Sequence, residues 1–174
     1  MKNIVLIGFM AVGKTTVGRM LSDKLNFKFI DTDEVIENKC NKTIQNIFAE
    51  FGEGYFRKIE SDVVKIASSC TDTVISCGGG TPKDPDNVRS LEKNGMIICL
   101  KADADAICKR ADISSGIRPI LYNKSKNEIE DLMLKRQKYY DVAQYFVDTS
   151  DLTPEEVADM IIEYYRKETD FYVP

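Results

Sequence analysis

Residues Gly8 to Thr16 read GFMAVGKTT, between an apolar run, NIVLI, and an amphipathic stretch, VGRMLSDKL. They fit the spacing G-x-x-x-x-G-K-[ST], with Gly8, Gly13, Lys14 and Thr15 at the fixed places. No other feature constrains the fold as strongly, because the spacing works only with a strand before it and a helix after it. Consecutive backbone N–H groups and a helix N-terminus then face one anion, and glycine lets the backbone approach closely. Lys14 would reach the β- and γ-phosphates of a nucleotide, and the Thr15 hydroxyl would bind Mg²⁺. The bland alternative is a glycine turn beside a helix. The motif alone leaves open whether the phosphate passes to an acceptor, passes to water, or is held as a switch.

The rest of the chain supplies the matching pattern. Apolar, β-branched runs at NIVLIG (3–8), KFID (28–31), TVISCG (73–78), MIICL (96–100) and YFVDT (145–149) read as strands covered on both faces. Between them run helical stripes: Val17, Met20, Leu21 and Leu25; Ile44, Ile47, Phe48 and Phe51; Phe56, Ile59, Val63 and Ile66; and Val157, Met160, Ile161 and Tyr164. TPEE at 153–156 places Thr at an N-cap, Pro at the first helical position and Glu at the third. Strands alternating with helices predict a parallel sheet between helical layers, with ligands at the carboxyl ends of the strands. The stretch ADISSGIRPILYNKSKN, 111–127, is polar and aperiodic, and reads as a lid or functional loop. At 174 residues with no visible linker or repeat, one domain is expected.

Several classes are excluded or disfavoured. A net charge of −4 gives no global positive field for nucleic acid, and no apolar run approaches the ~20 residues of a membrane span. Five scattered cysteines without a C-x-x-C pair read as reduced thiols of a cytoplasmic protein. The chain has no histidine, so acid–base work falls to carboxylates, lysine, tyrosine or cysteine. A switch GTPase would carry N-K-x-D; the nearest text, NKSK at 123–126, lacks the Asp. A small kinase remains, and it needs an acceptor site.

IDTDE, 30–34, ends the second strand where that site belongs. Asp31 and Asp33 are two apart, so in extended chain both side chains point to one side. One carboxylate would hold a magnesium-bound water and the other meet an acceptor hydroxyl; the alternative is that Asp33 only caps a helix beginning at Glu34. Arg57, in GYFRKIE, lies beside the apolar stripe, and LMLKRQKYY offers Arg136; either arginine alone could be solvated helix surface. CGGGT, 77–81, allows backbone to lie against a ligand, or makes a tight turn.

Taken together, these pieces closely resemble the shikimate kinases, with IGFMAVGKTTVGRML, DTDEVIE, TIQNIFAEFGEGYFRKIE, ISCGGGT, IRPIL and LMLKRQKYY in order over nearly the whole chain. The resemblance implies an α/β, P-loop NTPase-like fold of the nucleoside-monophosphate-kinase type: a three-layer sandwich with a parallel sheet of about five strands. It also implies ATP-dependent phosphorylation of the shikimate 3-hydroxyl, on the route to aromatic amino acids, with Mg²⁺ as cofactor. By the same resemblance Asp33 orients and deprotonates the acceptor, with Lys14 and Arg118 as the other catalytic groups. Gly8, Ala11, Val12, Gly13, Lys14, Thr15, Thr16, Arg110 and Arg118 serve ATP, Arg110 stacking on adenine. Thr15 and, through water, Asp31 serve the metal. Arg57 and Arg136 grip the substrate carboxylate with Glu60 as their anchor, and Gly78, Gly79 and Gly80 line the substrate, Gly79 N–H being the expected donor. Ile44, Phe48, Phe56, Pro119 and Ile120 wall the ring. The segment 33–61 is then the substrate-binding part and 111–124 the lid of a cytoplasmic monomer that binds neither nucleic acid nor membrane. Two departures stand out: Asp151 replaces an adenine-contacting arginine of some relatives, and Phe51 an acidic residue. The rivals are a related kinase for gluconate or another hydroxy acid, and a non-catalytic nucleotide-binding regulator.

Overall fold

The computed structural model describes residues 2–113 and 124–169. Five strands form one sheet: β1 (Asn3–Gly8), β2 (Lys28–Asp31), β3 (Thr73–Ser76), β4 (Gly95–Lys101) and β5 (Tyr145–Asp148). Their order is β2-β3-β1-β4-β5, and every pairing is parallel. The helices described are α1 (Lys14–Leu25), α2 (Thr32–Cys40), α3 (Ile44–Ser68), α4 (Pro85–Asn94), α5 (Ala104–Ile113), α6 (Lys126–Gln137) and α7 (Pro154–Thr169). The irregular stretch expected over 111–127 is therefore narrower, because α5 continues through 113 and α6 begins at 126.

Continuous burial explains the three inner strands, while the edge strands β2 and β5 are partly exposed, against the expectation that all five are covered on both faces. β1, β3 and most of β4 are buried at successive positions, so they are apolar without alternation. β1 lies in the middle, with Val5 opposite Ile75 on one side and Ile97 on the other. The chain leaves β1 with β3 and β4 flanking it, and the sheet's ligand crevice lies at such a reversal of strand order. One large core fills both faces of the sheet. A second, smaller core of Ile36, Ile47, Phe56, Ile59 and Val63 joins α2 to α3, so the 33–61 segment has packing of its own.

Local signals set the helix ends. Thr153 and Glu156 exchange hydrogen bonds at the start of α7, as the TPEE stretch predicts, and Ser125 with Glu128 repeat that capping box at α6. α3 is kinked at Gly52, whose φ of 80° and ψ of 171° are not helical. The kink breaks the phase of the two stripes read there, which leaves Phe51 44% exposed instead of buried; Ile66, far down α3, is 66% exposed. TVISCG is also shorter as a strand than expected: β3 ends at Ser76, Cys77 N–H still donates to the Leu6 carbonyl (3.0 Å), and Gly78–Gly80 turn out of the sheet.

Candidate active site

The phosphate loop leaves β1 with positive φ at Gly8 (139°), Ala11 (64°) and Gly13 (97°). A Cβ at Gly8 would overlap the Leu100 carbonyl, so glycine is needed there for both space and conformation. Ala11 adopts the left-handed form without being glycine, which no sequence signal announces. Alternation of this kind turns successive N–H groups inward. Gly13 is the N-cap of α1 and supplies no side-chain acceptor, and the first turn carries no acidic residue. The Lys14 ammonium donates to the carbonyls of Gly8 (2.9 Å) and Phe9 (2.8 Å), so it lies across the loop. Val12 is buried, while Thr16 is exposed on the first turn of α1.

The DTD stretch is arranged differently from the extended pair expected. The helix begins at Thr32, so Asp33 already sits in the first turn of α2. Asp31, not Asp33, is the cap: its Oδ1 accepts from the backbone N–H of Asp33 (3.0 Å) and Glu34 (3.4 Å). Its Oδ2 accepts from Thr15 Oγ1 (2.8 Å) and Ser76 Oγ (3.0 Å), tying the phosphate loop to β2 and β3. Asp33 keeps its carboxylate for something else. Burial, then the neighbouring charge of Asp31, push its pKa from 3.8 up to about 6; Lys14 pulls it down, while Glu60 and Glu37 add to the rise.

The glycine triplet brings the remaining candidates together. A Cβ on Gly78 would stand 2.6 Å from Asp33 Oδ1, one on Gly79 3.8 Å from Arg136 Nη1, and one on Gly80 2.8 Å from both terminal nitrogens of Arg57. Three consecutive residues thus face a carboxylate and two guanidinium groups. The turn is pinned from both sides, since Gly78 N–H donates to Thr32 Oγ1 (3.0 Å) and Tyr140 donates to the Gly79 carbonyl (2.8 Å). Arg57 lies over the Phe56 ring and Arg136 over that of Phe9. Arg57 donates to Glu60 Oε2 at 2.6 Å, and Glu60 is 1% exposed. Phe48 packs on Phe56 at 4.7 Å between ring centres, with Ile44 on the same small core.

Other expectations fall elsewhere. Arg110, on α5, bonds the hydroxyl and carbonyl of Thr149, and the Thr149 hydroxyl lies 3.1 Å from the Val12 carbonyl, so this arginine braces the loop after β5. Arg118, Pro119, Ile120 and nearly all of the 111–124 lid lie outside the described residues. All five cysteines are free thiols, and the buried Cys77 is held far above the ordinary thiol range by burial. A cavity of about 430 Å³ opens between Leu100 and α6, near Phe9 and Tyr140, and neither Asp33 nor Arg57 lines it. No helix among the described residues is long and apolar enough to cross a membrane.

The family model for shikimate kinase matches residues 10–166. The chain belongs to the shikimate kinase family. The shikimate kinase of Thermodesulfovibrio yellowstonii is 44% identical, over 96% of this chain and 96% of that one. That of Bacillus subtilis is 39% identical, over 99% and 94%. The solved shikimate kinase of Acinetobacter baumannii in complex with shikimate superposes with a TM-score of 0.90 at 31% identity, over 97% of this chain and 95% of that one. The five-stranded parallel sheet flanked by helices is thus the shikimate kinase fold.

Within this family member, three hydroxyl residues escaped the sequence reading: Thr32, Thr81 and Tyr140. Thr32 lies inside the quoted DTD stretch, but a lone hydroxyl has no periodicity or spacing that would mark it. Only the fold brings it to the glycine triplet.

Proposed function

We propose that this protein transfers the γ-phosphoryl group of ATP to the 3-hydroxyl of shikimate, giving shikimate 3-phosphate and ADP on the route to aromatic amino acids. The observation that carries the reading is the glycine triplet, with Asp33 facing one end and Arg57 and Arg136 the other, beside the phosphate loop. A small acceptor with a hydroxyl at one end and a carboxylate at the other fits that polarity. Arginine forks bind a carboxylate through two parallel hydrogen bonds.

Phosphoryl transfer is mostly positioning and charge neutralisation. The loop N–H groups and the N-terminus of α1 bind the phosphates, and Lys14 exchanges its loop carbonyls for phosphate oxygens. Asp33, ionised above a pKa of about 6, orients the 3-hydroxyl and takes its proton. Phe48 and Phe56 wall the ring, Arg110 steadies the nucleotide end, and Arg118 closes over the phosphates as part of the lid. Thr15 Oγ1 beside Asp31 Oδ2 is a hard-oxygen pair, and no cluster of three or more acidic, cysteine or histidine side chains occurs among the described residues. That donor set suits Mg²⁺, which keeps most of its waters. When bound, Mg²⁺ supplies charge neutralisation at the β- and γ-phosphates. The reading takes the protein as a single-domain cytoplasmic monomer without nucleic-acid partners, which sedimentation with and without ligands tests.

The deciding experiment measures ADP release against a panel of small hydroxy acids, each with and without Mg²⁺. Turnover with shikimate that needs Mg²⁺ is expected. Faster turnover with gluconate, or none with any acid, overturns the reading.

A further inference from the structure

Glu60 is a buried carboxylate with two separate duties. Its Oε2 takes the Arg57 guanidinium at 2.6 Å, and its Oε1 accepts the Thr81 hydroxyl at 2.8 Å. Thr81 is itself fully buried and opens the short 3₁₀ turn Thr81–Lys83 that follows the glycine triplet. Its backbone is held at both groups: its N–H donates to the Gly78 carbonyl (3.0 Å), and its carbonyl accepts from Asn87 Nδ2 (3.4 Å) on α4. Glu60 Oε1 and Thr81 Oγ1 both lie under Gly78, at 3.2 and 3.3 Å from the place a Cβ would take. The other carboxylate on Arg57, Glu53, is 62% exposed, and an ion pair so open to solvent fixes little.

We propose that Thr81 is a positioning residue for substrate recognition: its hydroxyl holds Glu60 in the rotation that aims Arg57 at the acceptor's carboxylate. The inference rests on the reading of Arg57 as a carboxylate clamp. A buried carboxylate keeps its charge only while donors satisfy its oxygens. Without the Thr81 hydroxyl, Glu60 either loses its fixed rotation and loosens its hold on Arg57, or turns Oε1 toward the guanidinium and shifts the fork. Both outcomes damage binding of the acceptor and leave the nucleotide site alone, since Thr81 bonds to no residue of the phosphate loop.

The test compares KM for shikimate and for ATP in the parent, Thr81→Val, Thr81→Ser, Arg57→Lys and the Thr81→Val/Arg57→Lys double variant. Thr81→Val keeps the shape and loses the hydroxyl; KM for shikimate should rise about tenfold, the size expected when a hydrogen bond to a buried charge is lost. KM for ATP should stay within about twofold, Thr81→Ser should restore the parent value, and the double variant should fall short of the product of the singles. An unchanged KM for shikimate, an equal rise for both substrates, a serine variant no better than valine, or fully multiplicative effects would overturn the proposal. Should the valine variant not fold, Thr81→Ala is judged by the same outcomes. Failure of both while serine folds makes Thr81 a core residue only and also overturns it. If Arg57→Lys alone leaves KM for shikimate unchanged, the clamp reading itself has failed, whatever Thr81 does.

Discussion

At the scale of single residues, the two aspartates of DTD are held in different ways, and the proposed reaction divides them into a structural and a chemical one. Asp31 accepts four hydrogen bonds and joins the phosphate loop, β3 and α2, whereas Asp33 is pressed against Asp31 and Glu60 with a raised pKa. A carboxyl whose folded pKa lies above its unfolded 3.8 holds its proton in the folded state between about 4 and 6. Stability is therefore lost as pH rises through that window, and the charge penalty is complete above it. Asp33→Asn should thus be more stable than the parent at pH 7.5 by about 1–3 kcal/mol, on the scale of 1.36 kcal/mol per pKa unit, with the gap closing near pH 4. Its kcat should fall by about 10²–10⁴ while ATP affinity holds. In the parent, kcat/KM for shikimate should drop tenfold per pH unit below about 6, a limb the Asn variant lacks. A variant both less stable and near-normal in turnover would contradict this division. Asp31→Asn should behave oppositely. It loses stability, by about 1–2 kcal/mol as a helix cap alone, and raised Mg²⁺ restores part of its activity; failure of magnesium to restore any would remove Asp31 from the metal site.

At the scale of elements, Gly52 is the test piece. Its φ of 80° and ψ of 171° belong to a region open in practice only to glycine, yet a Cβ there would meet nothing within 4 Å. Gly52→Ala therefore isolates backbone strain, and should lower stability by about 1–3 kcal/mol in a denaturant melt. If the chain relieves that strain by straightening the kink, the Ile44–Phe51 half of α3 moves and KM for shikimate rises more than KM for ATP. Unaltered stability and kinetics would show the kink to be incidental. Elements were largely legible in the sequence. All five strands fall at the apolar runs; for β1, β3 and β4 the reason is burial on both faces, which leaves the composition no polar alternation, whereas the edge strands β2 and β5 are partly exposed. Helical stripes predicted burial on both sides of the kink, as at Ile47, Phe56 and Ile59, whereas Phe51, at the break in phase, and the stripe residues Ile66 and Met160 are exposed. The site was legible where fixed spacing or a glycine run marks it, as at Lys14 and Gly78–Gly80. It was not legible at Thr81 or Tyr140, whose single hydroxyls gain meaning only from partners distant in sequence. Nor did any local pattern show that the helix starts at Thr32, which turned the expected extended pair into a cap at Asp31 and a first-turn carboxylate at Asp33.

At the scale of the whole molecule, the α2–α3 segment proposed to bind substrate has its own small core while the phosphate loop hangs from the main sheet, so a ligand that spans both would join them. Shikimate at a hundred times its Kd should add about 2.7 kcal/mol to the unfolding free energy, a rise in Tm of roughly 5–10 °C for a chain of this length. No shift with shikimate, beside a clear shift with an ATP analogue, would argue for a nucleotide-binding regulator. The position of β1 carries a further consequence, in time. Ile4 pairs with Val74 and Met96, and Gly8 lies against Leu100, so β1 has no neighbour until β3 has followed and lacks its second until β4. At about 5–20 residues per second, its apolar run waits for seconds, a natural client for a chaperone. Nucleotide affinity should then appear only once β3 has been made: a nascent chain halted before residue 73 has the whole GFMAVGKTT stretch and no sheet edge on which to hang it.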